Sequence, residues 1–227
     1  MKKKTFYNEL AYVFGMIFLA LGTAFMEAAD FGVSMVVAPS YIIHLKVSQY
    51  LPFFTFGMAS YTFEALLLIV MVILLRKFRV SYLFSFVTAV LYGFVLDIDI
   101  WLLSFINHDS MVLRIIFYIV GLLLCSMGVS FYYHTYISPE VYELFVKEAS
   151  NKYGIEIHKF KTGYDCISCL VAIILSFCFF GFLHFEGVKW GTVVCALVNG
   201  FTISRFTKLF ERFFEFRDGL KLRKYFE

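Results

Sequence analysis

Five carboxylates sit where an apolar chain has least reason to keep them. Glu27 and Asp30 are three residues apart in "AFMEAADFGVSMVVAPSY", a stretch that continues into Gly32, Ser34 and Pro39. That spacing puts both acids on one helix face just before the backbone is interrupted. Asp97 and Asp99 close "YGFVLDIDIW", and Glu64 is followed by eleven uncharged residues in "ASYTFEALLLIVMVILL". A charge held in hydrocarbon costs roughly 3 kcal/mol even on lenient insertion scales, so each acid must be protonated, hydrogen-bonded or turned toward an aqueous cavity. The chemistry that such groups do is proton or cation binding. Asp30, Asp97 and Asp99 fall near span ends, where contact with water is an equal explanation. Glu64 lies deep and needs a partner; His134 and Tyr133 are candidates, and a plain interhelical hydrogen bond is the alternative.

The elements that must position these groups follow from composition. The chain has 227 residues, 61% hydrophobic and 16% charged, far more apolar than a water-soluble domain. Hydropathy predicts an all-α polytopic helix bundle with spans near 9–31, 53–75, 80–103, 111–135, 164–184 and 188–205. The last of these is short and bracketed by Gly187, Gly191 and Gly200. Beyond it, "ISRFTKLFERFFEFRDGLKLRK" reads as an amphipathic helix over about 205–225 lying on the membrane surface. Lys2, Lys3 and Lys4 precede a run with no small-residue cleavage site, so the first span is read as retained. Seventeen of the twenty Lys and Arg residues fall on one side of this topology, which places both termini in the cytoplasm. The net charge of +3 reflects that sidedness and contact with anionic lipid, not affinity for nucleic acid.

The chain also repeats itself. "GMIFLALGTAF" at 15–25 aligns with "GLLLCSMGVSF" at 121–131, and "AVLYGF" at 89–94 with "ALVNGF" at 196–201, at offsets of 106 and 107. Each copy, about 9–105 and 111–205 of a single membrane domain, holds three crossings, so the second must enter the membrane inverted. The helix interruptions fall at equivalent places: 31–34 in the first copy and 137–140 in the second. Gly32 suits a broken backbone, and Ser138 before Pro139 reads as an N-cap and first turn. Half-helices are expected near 34–49 and 139–152. Their N-termini would face a ligand's negative end, and the unwound carbonyls a cation.

Other motifs carry less. "CISC", Cys166 to Cys169, has redox or metal spacing, but no second pair accompanies it and small-residue packing explains it. Asp165, beside Lys159 and Lys161, reads as a solvated charge, and Arg205 as a helix-end anchor. No phosphate loop, activated nucleophile or metal-ligating His pair is recognisable, so neither an enzyme, a metal nor a cofactor is expected. Trp101 and Trp190 fit an interfacial belt. Gly15, Gly22, Gly121 and Gly128 offer small faces that could join the two halves or two copies of the chain.

"ADFGVSMVVAPSYIIH", "LYGFVLDIDIWL" and "GTVVCALVNGF", in this order and spacing, resemble the bacterial YczE/YyaS/YitT integral membrane family, in its short members without a soluble C-terminal domain. The Pro-Trp-Asp that many such members carry after the first glycine break is missing here. The resemblance implies a multi-span bacterial plasma-membrane protein, often taken for a transporter. The reading is therefore a secondary transporter of a small solute, with its proton or cation site among Glu27, Asp30, Gly32, Ser34, Glu64, Asp97, His134 and Ser138 at the breaks. The alternative is a non-transporting scaffold, regulator or substrate-binding subunit of another membrane complex. A polar cavity reaching the breaks separates the two.

Overall fold

The computed structural model describes residues 3–106, 110–182, 185–221 and 223–225; Lys2, counted above among the basic residues, lies outside them. Eight helices are described: α1 (Asn8–Ala29), α2 (Ala38–Val47), α3 (Phe56–Leu75), α4 (Ser81–Leu103), α5 (Met111–Tyr132), α6 (Val141–Tyr153), α7 (Ile157–Phe180) and α8 (Trp190–Phe213). Six of them, all but α2 and α6, are 20 to 24 residues long and apolar enough to cross a membrane. At 1.5 Å per residue each covers the ~30 Å hydrocarbon core. The protein is an all-α polytopic bundle.

α2 and α6, at 10 and 13 residues, are too short to cross and are the two expected half-helices. Their depth can be read from their partners. Ser168, at the middle of α7, donates its hydroxyl to the Met35 carbonyl just before α2, at 2.7 Å. Glu64, near the middle of α3, accepts the backbone N–H of Val141, the first residue of α6, at 2.9 Å. Both half-helices thus begin near mid-depth and run outward to opposite faces.

α1 and α5 form the centre of the bundle, and their contacts are reciprocal. A Cβ on Gly22 would strike the Gly121 carbonyl and the Cys125 amide, and one on Gly128 would strike the Gly15 carbonyl and the Leu19 amide. Gly15 meeting Gly128 while Gly22 meets Gly121 requires antiparallel helices, and it is the pattern that a two-fold exchanging the two copies produces. These glycines therefore join the halves of one chain. Elsewhere the relation recurs: α2 packs on α3 and α7, and α6 on α7 and α3. The Thr192 hydroxyl of α8 bonds the Val33 carbonyl at 2.9 Å, and the Thr88 hydroxyl of α4 bonds the Ser138 carbonyl at 2.9 Å. Each interruption is held by the last long helix of the other copy, which satisfies carbonyls that hydrocarbon could not.

Two sequence readings are corrected here. Residues 205–213 are the last turns of α8, not the start of a surface helix, and Phe214–Arg217 forms a strand, β2, paired in parallel with β1 (Lys4–Tyr7). The alternating Phe and charge that looked helical is the two-residue period of a short strand: Phe214 and Phe216 pack with Phe6, Phe131 and Phe210 while Glu215 and Arg217 point out. The pairing also puts both ends of the chain on one face. Secondly, α7 begins at Ile157, seven residues before the expected start, because Lys161 is buried in it instead of preceding it, as is Asp165, expected in solvent at its start.

Candidate functional site

The first break is built by two backbone conformations that few residues adopt. Asp30 ends α1 in the left-handed region (φ 55°), where its short side chain is tolerated, and Gly32 follows at φ 99°. A side chain at Gly32 would also collide with Thr192 and Lys189. Asp30 is exposed and pairs with Arg114 at 2.9 Å and with Lys189. Arg114 additionally bonds the Ala29 carbonyl at 2.8 Å and stacks on Phe31. Half-buried Glu27 lies within hydrogen-bonding reach of the Tyr41 hydroxyl. Glu27, Asp30 and Gly32 meet around a cavity of about 80 Å³ shared with Tyr41, Glu186 and Lys189. Ser34 is deeper and almost fully buried, beside Met35 and Cys195.

The second break differs in both size and charge. On the face carrying the termini, a polar cavity of about 500 Å³ is lined by Tyr133, His134, Thr135, Tyr136, Ser138 and Pro139, with Arg79, Lys147, Glu148 and Arg223 around it. Beyond Tyr133 lies a cluster of four carboxyl groups and one ammonium, all buried: Glu64, Glu140, Glu143, Lys161 and Asp165. The Tyr133 hydroxyl donates to Glu143 at 3.2 Å, and the Lys161 ammonium to the other Glu143 oxygen at 2.5 Å. Lys161 is 3.3 Å from Asp165, one helical turn away, and sits over the Tyr142 ring at 4.5 Å. Tyr142 in turn donates to Asp165 at 2.8 Å.

Glu64 and Glu140 form the inner end. Their carboxyls are neighbours, and one Glu140 oxygen is buried with no hydrogen-bond partner among the described residues. Tyr132 donates to the second Glu140 oxygen at 3.4 Å. Neighbouring carboxyl groups out of water repel strongly when both are ionised, so sharing one proton is the chemistry that such a pair can do. Glu64 also caps α6: the Val141 N–H that it accepts is one of the donors a helix start leaves open, and its charge opposes the positive end of the helix.

The expected residues divide accordingly. Glu64 and Ser138 reach the second break, while Glu27, Asp30 and Gly32 meet at the first, separated from the large cavity. Ser138 does not cap α6; Glu140 stands at the N-cap with no side-chain capping bond, and the cap comes from Glu64. His134 is not the partner of Glu64: its Nδ1 bonds the Ser130 carbonyl at 2.7 Å, Nε2 faces Glu211 at 3.7 Å and the ring stacks on Phe216. Nor is Tyr133, which serves Glu143. Asp97 holds the start of α3, accepting from Thr55 at 2.6 Å and from the Gly57 amide at 2.8 Å. Asp165, expected in solvent, is fully buried.

Glu140, Glu143 and Lys161 went unrecognised in the sequence. Two spacings pointed to them: Glu140 and Glu143 at i,i+3, and Lys161 and Asp165 at i,i+4, each pair sharing one face of a helix. Among the described residues no group of three or more His, Cys, Asp or Glu side chains is arranged to hold a metal ion, and all five cysteines are unpaired thiols.

No curated protein and no solved structure has significant similarity to this sequence. Nothing in the family comparison carries the YczE, YyaS or YitT name, so that likeness stays one of motifs. The chain belongs to a family of unknown function (DUF6198), which it matches over residues 6–208.

Proposed function

We propose that this integral membrane protein is a secondary transporter of a small solute, coupled to proton movement through the carboxyl pair Glu64–Glu140. One observation carries the reading: a buried cluster of carboxyl groups caps a half-helix at mid-depth, and Tyr133 stands between it and a polar cavity open to one face. Ionisable groups at such depth are costly to keep for packing alone. With Lys and Arg concentrated on the face of the termini, that cavity opens to the cytoplasm of a plasma-membrane protein. Asp30, bridged to α5 and α8 by Arg114 and Lys189, is then an outer closure joining the two copies. The arrangement is an inward-facing state of an alternating-access cycle, in which rocking of one copy against the other would part Asp30 from its partners and collapse the cavity outside Tyr133.

The test is uptake into proteoliposomes from a cell metabolite extract, driven by an imposed pH gradient and read by mass spectrometry. The wild-type protein should accumulate at least one solute, and Glu64→Gln, which keeps an acceptor for Val141 but cannot pass a proton, should not. Uptake unchanged in Glu64→Gln would reject the coupling role. If no solute is accumulated and no proton flux occurs, the transporter reading fails.

A further inference from the structure

The outer half of the buried cluster has the chemistry of a cation site that is already filled. Lys161 is fully buried, and its ammonium is held by one oxygen of Glu143, one oxygen of Asp165 and the face of Tyr142. Two carboxylates and an aromatic face are what a desolvated monovalent cation or small ammonium ion would need. Several elements bring charged or titratable groups here: Glu140 and Glu143 at the start of α6, Glu64 from α3, Tyr133 after α5, Asp165 from α7 itself, with Cys195 of α8 nearby. The acceptors also outnumber what Lys161 fills, since the second oxygen of Asp165 is buried with no hydrogen-bond partner. Without a cation, Glu143 and Asp165 would be two anions side by side at low dielectric, a costly arrangement.

We propose that the Glu143, Asp165 and Tyr142 pocket is a monovalent-cation site whose resident is the chain's own Lys161 ammonium, so that the protein needs no dissolved sodium or potassium. On the transporter reading, the tethered ammonium leaves the proton on Glu64–Glu140 as the only coupling ion. The cation site itself stands or falls separately, because its test reads stability and not transport.

Thermal unfolding of the purified protein in detergent is followed at constant ionic strength in choline, sodium, potassium or ammonium chloride. The wild-type protein and Lys161→Arg should unfold at the same temperature in all four salts. Lys161→Ala should be much less stable in choline and gain several degrees, saturably, with one of the small cations. The same salt series on Lys161→Ala/Glu143→Gln, which leaves a single carboxylate and less repulsion, covers the case in which the single variant does not fold. Selective stabilisation of the wild-type protein by sodium or potassium would overturn the proposal. So would a Lys161→Ala protein, or failing that the double variant, that is indifferent to the cation.

Discussion

The two breaks fall in matching stretches of sequence and occupy matching places in the bundle, yet one is tied by ion pairs at the surface and the other holds a cluster of buried charge. At the first, Asp30 meets Arg114 and Lys189 at the protein surface around a cavity of about 80 Å³. At the second, five ionisable groups lie out of water behind a cavity of about 500 Å³. The helix against each half-helix makes the difference: α7 offers Ser168, a neutral hydroxyl, to the first break, whereas α3 offers Glu64 to the second. A common scaffold has been specialised by a few side chains. Ion pairs at the surface break and reform at little cost, which suits a closure, and desolvated ones change only when a proton or cation moves.

The largest expected effect follows from that contrast. Lys161→Met should cost about 3–5 kcal/mol in a choline buffer, because it strands Glu143 and Asp165 as uncompensated buried charge. Chemical denaturation checks it, and a loss below about 1 kcal/mol would mean that water reaches the cluster. Glu64→Ala should cost about 1–3 kcal/mol by leaving the Val141 N–H unsatisfied, with Glu64→Gln recovering most of the loss in the same denaturation series. Overpacking the centre that both breaks lean on, with Gly22→Leu, should destabilise by about 1–3 kcal/mol or more, since the backbone of Gly121 and Cys125 lies against that Cα. A stable Gly22→Leu protein would put the α1 and α5 crossing in question.

At the surface ion pairs the thermodynamic effect should be small. Asp30→Asn, which keeps a side chain tolerated in the left-handed region, should change stability by about 0–1 kcal/mol, because the Asp30 side chain is largely exposed. It should instead raise the labelling rate of a Ser34→Cys probe by a membrane-impermeant thiol reagent added outside. Smallest of all is the clasp at the termini, where Arg223 at 2.9 Å holds the Asp218 carboxyl below its ordinary range, helped by Asn8. A depressed folded value means that the clasp is fully present above the unfolded value of about 4 and is lost as the pH falls below it. Lower protection of the β2 amides at acid pH, relative to their intrinsic exchange rates at the same pH, would report the loosening.

What the sequence disclosed and what it hid have one physical origin. Hydropathy, glycine spacing and interruptions at a constant offset are local signals, and they led to six spans, two half-helices and the Gly15, Gly22, Gly121 and Gly128 seam. Charge is ambiguous in a way that apolar periodicity is not. Lys161 and Asp165 look like any juxtamembrane pair until α6 folds back over them, and that burial depends on tertiary packing. The same ambiguity made Glu27 and Asp30 the foremost candidates because they interrupt a greasy run, although Asp30 turned out to face solvent. The depth of Glu64 was legible in the sequence, but its partner is a backbone amide that no spacing in the chain announces.

Pairing Glu64→Gln with Asp30→Asn in the same proteoliposome uptake assay tests the assignment of roles to the two breaks most directly. The expected result is uptake at background for Glu64→Gln and uptake still driven by the pH gradient, at an altered rate, for Asp30→Asn. The reverse, with Asp30→Asn inactive and Glu64→Gln still concentrating solute on the pH gradient, would contradict it.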